Sequence, residues 1–156
     1  MTSTAAHPRH DHAPWYVPLL NPISRRVLRA GVSLGPNVLV TVRGRTTGQP
    51  RTTPLAIIEA DGRRWIWSPW GDVNWVQNLR AAGRATITAK RRSEEVTARE
   101  LDPAERLAWF RNVLLPTASD MRGGVAFLRI VDGTDMRDPE RAADGRVVFE
   151  LRPAAE

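Results

Sequence analysis

Residues 37–71 read NVLVTVRGRTTGQPRTTPLAIIEADGRRWIWSPWG, and the alternation inside this stretch decides the fold. From Asn37 to Arg43, Val38, Val40 and Val42 share one face and Leu39, Thr41 and Arg43 the other, the period of a half-buried strand. The loop Gly44-Arg45-Thr46-Thr47-Gly48-Gln49-Pro50 follows, and Arg51 to Ala60 is β-rich again. Pro54 has no amide hydrogen for a ladder, so this second run belongs at a sheet edge or on a bulge. Asp61-Gly62 marks a hairpin turn, and Arg64 to Ser68 is a third strand with Trp65 and Trp67 on one face. Pro69-Trp70-Gly71 ends it.

On the C-terminal side, Val73 to Ala82 is a helix with Trp75, Val76 and Leu79 as its apolar stripe and Gly83 as its stop. Ala85 to Ala89 alternates as a strand, Lys90 to Ser93 turns, and Glu95 to Leu101 pairs back. Asp102-Pro103 opens a helix that runs to about Leu115 and turns Leu107, Phe110 and Leu114 inward. Residues 116–135 fit no single period, Val125 to Val131 reading equally as helix or strand. Asp138 to Ala143 is a short helix, and Val147, Phe149 and Leu151 alternate in a last strand. On the N-terminal side, residues 22–34 carry Ile23, Val27, Leu28 and Val32 opposite Arg25, Arg26 and Arg29. That basic amphipathic helix either covers the core or lies on an anionic membrane surface. About six strands, mostly in hairpins, and three or four helices give an α+β fold around a small, mostly antiparallel barrel. Residues 14–156 form one domain, preceded by a flexible N-terminal tail over residues 1–13.

Composition excludes much of the chemistry such a fold can host. The 156-residue chain has no cysteine, which removes disulfide scaffolds, iron–sulfur clusters and thiol catalysis. His7, His10 and His12 have the spacing of metal ligands, but nothing nearby folds them or adds a ligand, so no metal site is expected. No histidine lies beyond them, so the barrel cannot hold a Ser-His-Asp triad. A Walker A loop, a GxGxxG fingerprint and HExxH are absent. If the chain is an enzyme, its hard chemistry is expected from a bound cofactor that the chain holds and orients. No apolar run approaches a membrane span, and residues 1–13 lack the apolar core of a secretory signal. A cytoplasmic home is expected, at the inner face of the plasma membrane if residues 22–34 dock there.

The net charge of +6 is local. Residues 21–100 carry 14 basic and 6 acidic side chains, whereas residues 101–156 carry 8 and 10. An anionic partner should meet the first two-thirds of the chain. Arginine supplies 22 of the 23 cations, as a GC-rich genome writes them, and arginine is also the better fork for phosphate and carboxylate. Two stretches concentrate this chemistry. In Gly44 to Pro50, two glycines bracket Arg45, Thr46 and Thr47, with Arg51 close behind. Backbone amides, hydroxyls and guanidinium groups can turn together toward a phosphate or carboxylate, or the loop is an ordinary polar hairpin. In Ser68-Pro69-Trp70-Gly71, a strand end opens through a glycine turn into a helix start carrying Asn74, Trp75, Asn78 and Leu79. Such a crossing accepts an anion or a flat ring, with Trp75 and Leu79 reading equally as core contacts.

The run VRGRTTGQPRTTPL (42–55), then WSPWG (67–71), then NWVQNLRAAG (74–83) resembles the deazaflavin-dependent nitroreductase-like family of the flavin/deazaflavin oxidoreductases. The likeness spans about residues 20–101, and VVFELRP (147–153) is similar to the family's final strand. The resemblance implies a split β-barrel that uses reduced coenzyme F420 to pass a hydride to an electrophilic quinone, enone or nitro compound. By position, Arg45, Thr46, Thr47 and Gly48 would hold the phosphate, and Arg51 the phosphate or glutamate tail. Pro54, Leu55 and Ala56 would line the ring. Ser68, Pro69, Trp70 and Gly71 would close over the ring and its ribityl chain, and Trp75, Asn78 and Leu79 would buttress the site. Catalytic residues are not assigned; solvent, the cofactor or Ser68 is left as proton donor. The family's substrate-contacting tyrosine has no counterpart in Thr117 to Val131, which weighs against nitroimidazole reduction. Trp15 and Tyr16 are candidates to cover the acceptor. Rival readings are FMN in the same barrel, a non-catalytic lipid or fatty-acid carrier, and nucleic-acid binding, which lacks any helix-turn-helix or RNP signature. A small-molecule acceptor and a monomer or homodimer complete the expectation.

Overall fold

The computed structural model describes residues 37–120, 135 and 137–155. The tail over residues 1–13 with its histidines, Trp15 and Tyr16, the helix read over 22–34, and Val125 to Val131 lie outside the described residues. Seven strands form one sheet: β1 (Asn37–Arg43), β2 (Pro50–Ala56), β3 (Ile58–Ala60), β4 (Arg63–Ser68), β5 (Arg84–Ala89), β6 (Arg92–Glu100) and β7 (Val147–Pro153). Their order is β2-β1-β5-β6-β7-β4-β3, and every pair is antiparallel.

The two edge strands of this sheet, β2 and β3, are neighbours in the chain with only Ile57 between them. The run over residues 50–60 thus pairs with β1 through its first part and with β4 through its last. That continuity curls the sheet into a split barrel. It also explains why seven strands stand where about six were expected. Hydrophobic period does not change where a strand changes partner, so the break at Ile57 is silent in sequence. Pro54 sits on β2, opposite Leu39, at the sheet edge where a missing amide hydrogen is tolerated.

The barrel interior is the face predicted from the valines. Val38, Val40 and Val42 of β1 meet Ile66, Ala85, Ile87, Val96, Val147, Phe149 and Leu151. Helix α1 (Asn74–Ala82) plugs this interior with Val76 and Leu79 and stops at Gly83. The outer face of β4 and β7 packs under a second cluster. There Trp65, Trp67 and Val148 meet Trp109, Phe110 and Leu114 from α2 (Pro103–Trp109) and the π-helical turn Phe110–Leu114. Trp109 lies 6.3 and 6.2 Å from Trp65 and Trp67 by ring centroids, and Phe110 meets Trp67 edge-on at 5.6 Å. Asp102 caps α2 through the amide of Glu105, whose carboxylate reaches back to the amide of Asp102.

The helix expected to stop near Leu115 continues as α3 (Leu115–Asp120). Pro116 has no amide hydrogen for the Asn112 carbonyl, and the widened turn just before it absorbs the mismatch. A last short helix, α4 (Pro139–Ala143), leads into β7.

Candidate functional site

The loop between β1 and β2 folds on its own hydrogen bonds. The Gly44 amide donates to the Gln49 carbonyl at 2.8 Å and the Gly48 amide to the Gly44 carbonyl at 2.9 Å. Thr47 Oγ1 accepts the Gln49 amide at 3.3 Å, which leaves its hydroxyl hydrogen free to donate outward. Gly48 has φ of +70°, a backbone state that a side chain disfavours, and the Arg43 guanidinium lies over it: a Cβ there would stand 3.4 Å from Nη2. Arg45, Thr46, Thr47 and Arg51 are exposed and Gly48 is half-buried.

Helix α1 ties this loop to the second stretch. Asn78, buried at 7% exposure, accepts the Arg45 amide at 3.2 Å and Arg45 Nη1 at 2.8 Å on its Oδ1. Asn74, one turn earlier, accepts Arg45 Nη2 at 3.3 Å. Arg45 is therefore oriented by two neutral amide oxygens. Among the described residues Arg43, Arg45 and Arg51 make no ion pair, whereas Arg63, Arg64, Arg80, Arg99, Arg111 and Arg152 all do. The first turn of α1 carries no acidic side chain. Three of the cations that composition located between residues 21 and 100 thus stand at this end of the barrel without a carboxylate among the described residues.

Helix α1 begins where the Ser68–Gly71 turn ends, so the two stretches read from sequence converge on it. Ser68 is the last residue of β4, pairs with Val147 and is fully buried. Its Oγ has no hydrogen-bond partner among the described residues. A buried hydroxyl without a partner is costly, and a ligand atom reaching it would relieve that cost. Gly71 has φ of +71°, and a Cβ on it would stand 2.8 Å from the Gly145 carbonyl oxygen. The turn before β7 therefore presses against the turn after β4, and only glycine fits. Pro69 and Trp70 are half-buried beside it.

The remaining expected residues divide. Strand register puts Arg51 opposite Val42, Thr53 opposite Val40 and Leu55 opposite Val38, all on the barrel side. Pro54 and Ala56 alternate to the other side, so Leu55 does not share a surface with them. Trp75 packs on Phe149 at 6.2 Å and Leu79 is fully buried, which makes both core contacts under the site. Trp15 and Tyr16 lie outside the described residues. Three contributors went unread in the sequence. Asn74 was quoted only as part of a motif, although Asn74 and Asn78 one turn apart are a helix-face signal. Arg43 was counted as a strand residue, and nothing local marks Gly145 as the wall behind Gly71.

A model of the F420H(2)-dependent quinone reductase family matches residues 25–124, and the chain belongs to that family. It is an F420-dependent reductase, with coenzyme F420 as its cofactor. Solved structures share the fold. An F420-H2 dependent reductase, FDR-A, is 20% identical over 75% of this chain and 94% of its own, with a TM-score of 0.50. A chain described as a domain-swapped dimer is 20% identical over 84% and 95%, also at 0.50. A putative 5-nitroimidazole antibiotic resistance protein from Bacteroides thetaiotaomicron is 11% identical over 84% and 80%, at 0.51. Among the described residues no helix is long and apolar enough to cross a membrane.

Proposed function

We propose that Gly44–Arg51 and α1 hold the anionic end of coenzyme F420, that β2 and the Ser68–Gly71 turn hold its ring, and that the reaction reduces a small quinone or enone. The observation that carries this reading is Arg45, fixed by Asn74 and Asn78 yet without a carboxylate partner among the described residues. A guanidinium that is ordered but not neutralised is built for an anion from outside the chain. The donor set suits a phosphate: Arg45, Arg51, the Thr46 and Thr47 hydroxyls and the loop backbone. β2 rises about 3.3 Å per residue, so Leu55 stands roughly 13 Å beyond Arg51. An extended coenzyme can place its phosphate at one end of that strand and its ring at the other.

The bound reduced deazaflavin supplies the hydride. The protein's own part is to bind, orient and keep water out. Ser68 Oγ, buried beside the turn, has a hydroxyl free to meet the ring or the acceptor. The barrel below it is apolar, with Ile66, Val76 and Phe149 buried. The acceptor is proposed as a quinone or enone because the C-terminal stretch Thr117 to Val131 offers no tyrosine and the chain's single tyrosine is Tyr16. The domain-swapped relative favours a homodimer over a monomer, which sedimentation velocity checks.

A fluorescence titration with coenzyme F420 and, separately, with FMN tests the cradle. F420 should bind and FMN should not, and Arg45→Ala should weaken F420 at least tenfold while circular dichroism shows the fold retained. Binding of FMN alone, or an unaffected Arg45→Ala, overturns the reading. Turnover of a naphthoquinone, a cyclic enone and a nitroimidazole by the loaded enzyme then ranks the acceptors, the nitroimidazole last.

A further inference from the structure

We propose that Trp70 selects the acceptor: its indole is the outer wall on which a flat, fused-ring quinone stacks beside the coenzyme's ring. The proposal rests on the reading of β2 and the Ser68–Gly71 turn as the ring site, and it assigns one side chain of that turn to the second reactant.

The barrel is split beside this turn. β3 and β4 pair Ile58 with Trp65, Glu59 with Arg64 and Ala60 with Arg63. Carried back past Ile57, where the pairing stops, that register brings Leu55 level with Ser68. β2 pairs with β1 along its other edge, so its edge toward β4 has no ladder. Ser68 follows Ile66 by two residues and shares its barrel-side face, so the fully buried Oγ without a partner borders this seam. A buried polar atom left unpaired marks the seam as a place for a ligand.

Trp70 stands two residues on, in a turn that is held without help from its indole. Gly71 is pressed against the Gly145 carbonyl, and its own carbonyl accepts the Val73 amide at 3.0 Å. Asp72 is fastened to α1 twice: its carbonyl accepts Gln77 Nε2 at 2.8 Å and its carboxylate accepts Arg80 Nη1 at 2.7 Å. The other tryptophans among the described residues are engaged, Trp65 and Trp67 with Trp109 and Trp75 with Phe149. Trp70 meets no other ring among the described residues and is half-buried. A large apolar side chain on a fixed turn, beside a seam that holds an unpaired hydroxyl, is placed for a ring from outside the chain. Ser68 lies deeper than Trp70, so the coenzyme's ring takes the inner position and the acceptor, approaching from solvent, the outer one. Indole is electron-rich and a quinone electron-poor, which favours offset stacking, and a fused bicycle covers more of the indole than a single ring does.

The test reads binding apart from turnover. Enzyme loaded with oxidised coenzyme F420 has no hydride to give, so isothermal titration calorimetry measures the affinity of menadione, a naphthoquinone, and of duroquinone, a benzoquinone, without reaction. Wild type should prefer menadione about tenfold. Trp70→Ala should lose that preference by weakening menadione, while its coenzyme affinity, read by fluorescence, stays at the wild-type value. In turnover the same variant should raise KM for menadione about tenfold with kcat held. Trp70→Phe should keep most of the preference, and Trp70→Leu, apolar but without a ring, should not. Where Trp70→Ala fails to fold by circular dichroism, the Phe and Leu variants decide on the same terms. No preference in wild type, equal losses for the two quinones, or a full preference in Trp70→Leu overturns the stacking role. So does weaker coenzyme binding by Trp70→Ala, which would give the indole to the coenzyme. Each of these results leaves the ring site standing, whereas a wild type that binds no coenzyme overturns both.

Discussion

Two groups of three arginines occupy this barrel, and the chain treats them in opposite ways. Arg63, Arg99 and Arg152 surround Glu150, a carboxylate with 3% exposure on β7. Arg43, Arg45 and Arg51 flank a glycine–threonine loop, where Arg45 meets two amide oxygens and none of the three makes an ion pair among the described residues. Burial pushes the Glu150 carboxyl up, and hydrogen bonds from the three arginines push it down harder, so it titrates below its ordinary value. That cluster joins β4, β6 and β7, and Arg99 carries it on to Glu105 in the cap of α2 at 2.8 Å. It is an element of the fold. The other group holds nothing of the fold together except through Arg45 and α1. Residue type is identical in the two places; what the chain sets opposite the guanidinium decides whether it serves the fold or, in the proposed reading, a ligand.

The sharpest way to break this contrast is a pair of substitutions read in two assays. Arg51→Ala should cost about 1.5–3 kcal/mol of coenzyme binding, a loss of roughly 10- to 150-fold, with little change in urea stability. Glu150→Gln should do the reverse. It removes a buried charge from three half-exposed arginines and should cost about 1–3 kcal/mol of stability with affinity unchanged. If both substitutions move both quantities, the division into two groups is wrong.

Acid sharpens the structural side. Glu94, held down by its hydrogen bonds to Arg64, and Glu105, held down by Arg99 and the Asp102 amide, shift in the same direction as Glu150. Folded carboxyls that titrate below their ordinary value bind protons later than the unfolded chain does as pH falls. Their stabilisation is therefore complete above about pH 4.5, the ordinary glutamate value, and is lost as pH drops below it. Urea melts from pH 7 to 3 should show this decline, and Glu150→Gln should flatten it. A profile equally steep in the variant would remove Glu150 from the account.

A smaller change probes the ligand side. Asn74→Asp keeps the shape that faces Arg45 and adds the carboxylate the cradle lacks. At the first turn of α1 the new charge should raise stability by about 0.3–1 kcal/mol. By neutralising Arg45 it should weaken coenzyme binding about tenfold, or ~1.4 kcal/mol. Stability and affinity moving in opposite directions is an outcome that a merely structural asparagine would not give.

Much of this arrangement was legible before any coordinate. Val38, Val40 and Val42 announced the barrel face and Asp102-Pro103 the cap of α2. Pairwise geometry was hidden. That Ile57 divides one β run between two partners, that Asn74 and Asn78 reach Arg45 across about thirty residues, and that Gly145 backs Gly71 are facts of closure, which local period does not encode. Charge counts located the excess of arginine but could not tell Arg45 from Arg63, because the difference is a partner supplied by another strand.

Absence of an acid is not by itself a binding site, and the β5–β6 turn shows why. Lys90 and Arg91 occupy it with φ of 47° and 64°, a left-handed pair that favours Asn-Gly. Both are exposed, at the tip away from the loop, and no carboxylate pairs with Lys90 among the described residues. Nothing orders Lys90 as Asn74 and Asn78 order Arg45, so its charge belongs to solvent. Replacing the pair by Asn-Gly should relieve the backbone and raise stability by about 1 kcal/mol, read as a higher urea midpoint. Coenzyme affinity should not move, although two cations are gone from a chain whose net charge is +6. A fall in affinity at this remote tip would mean that the coenzyme responds to total charge, and the ordering of Arg45 would no longer explain its binding.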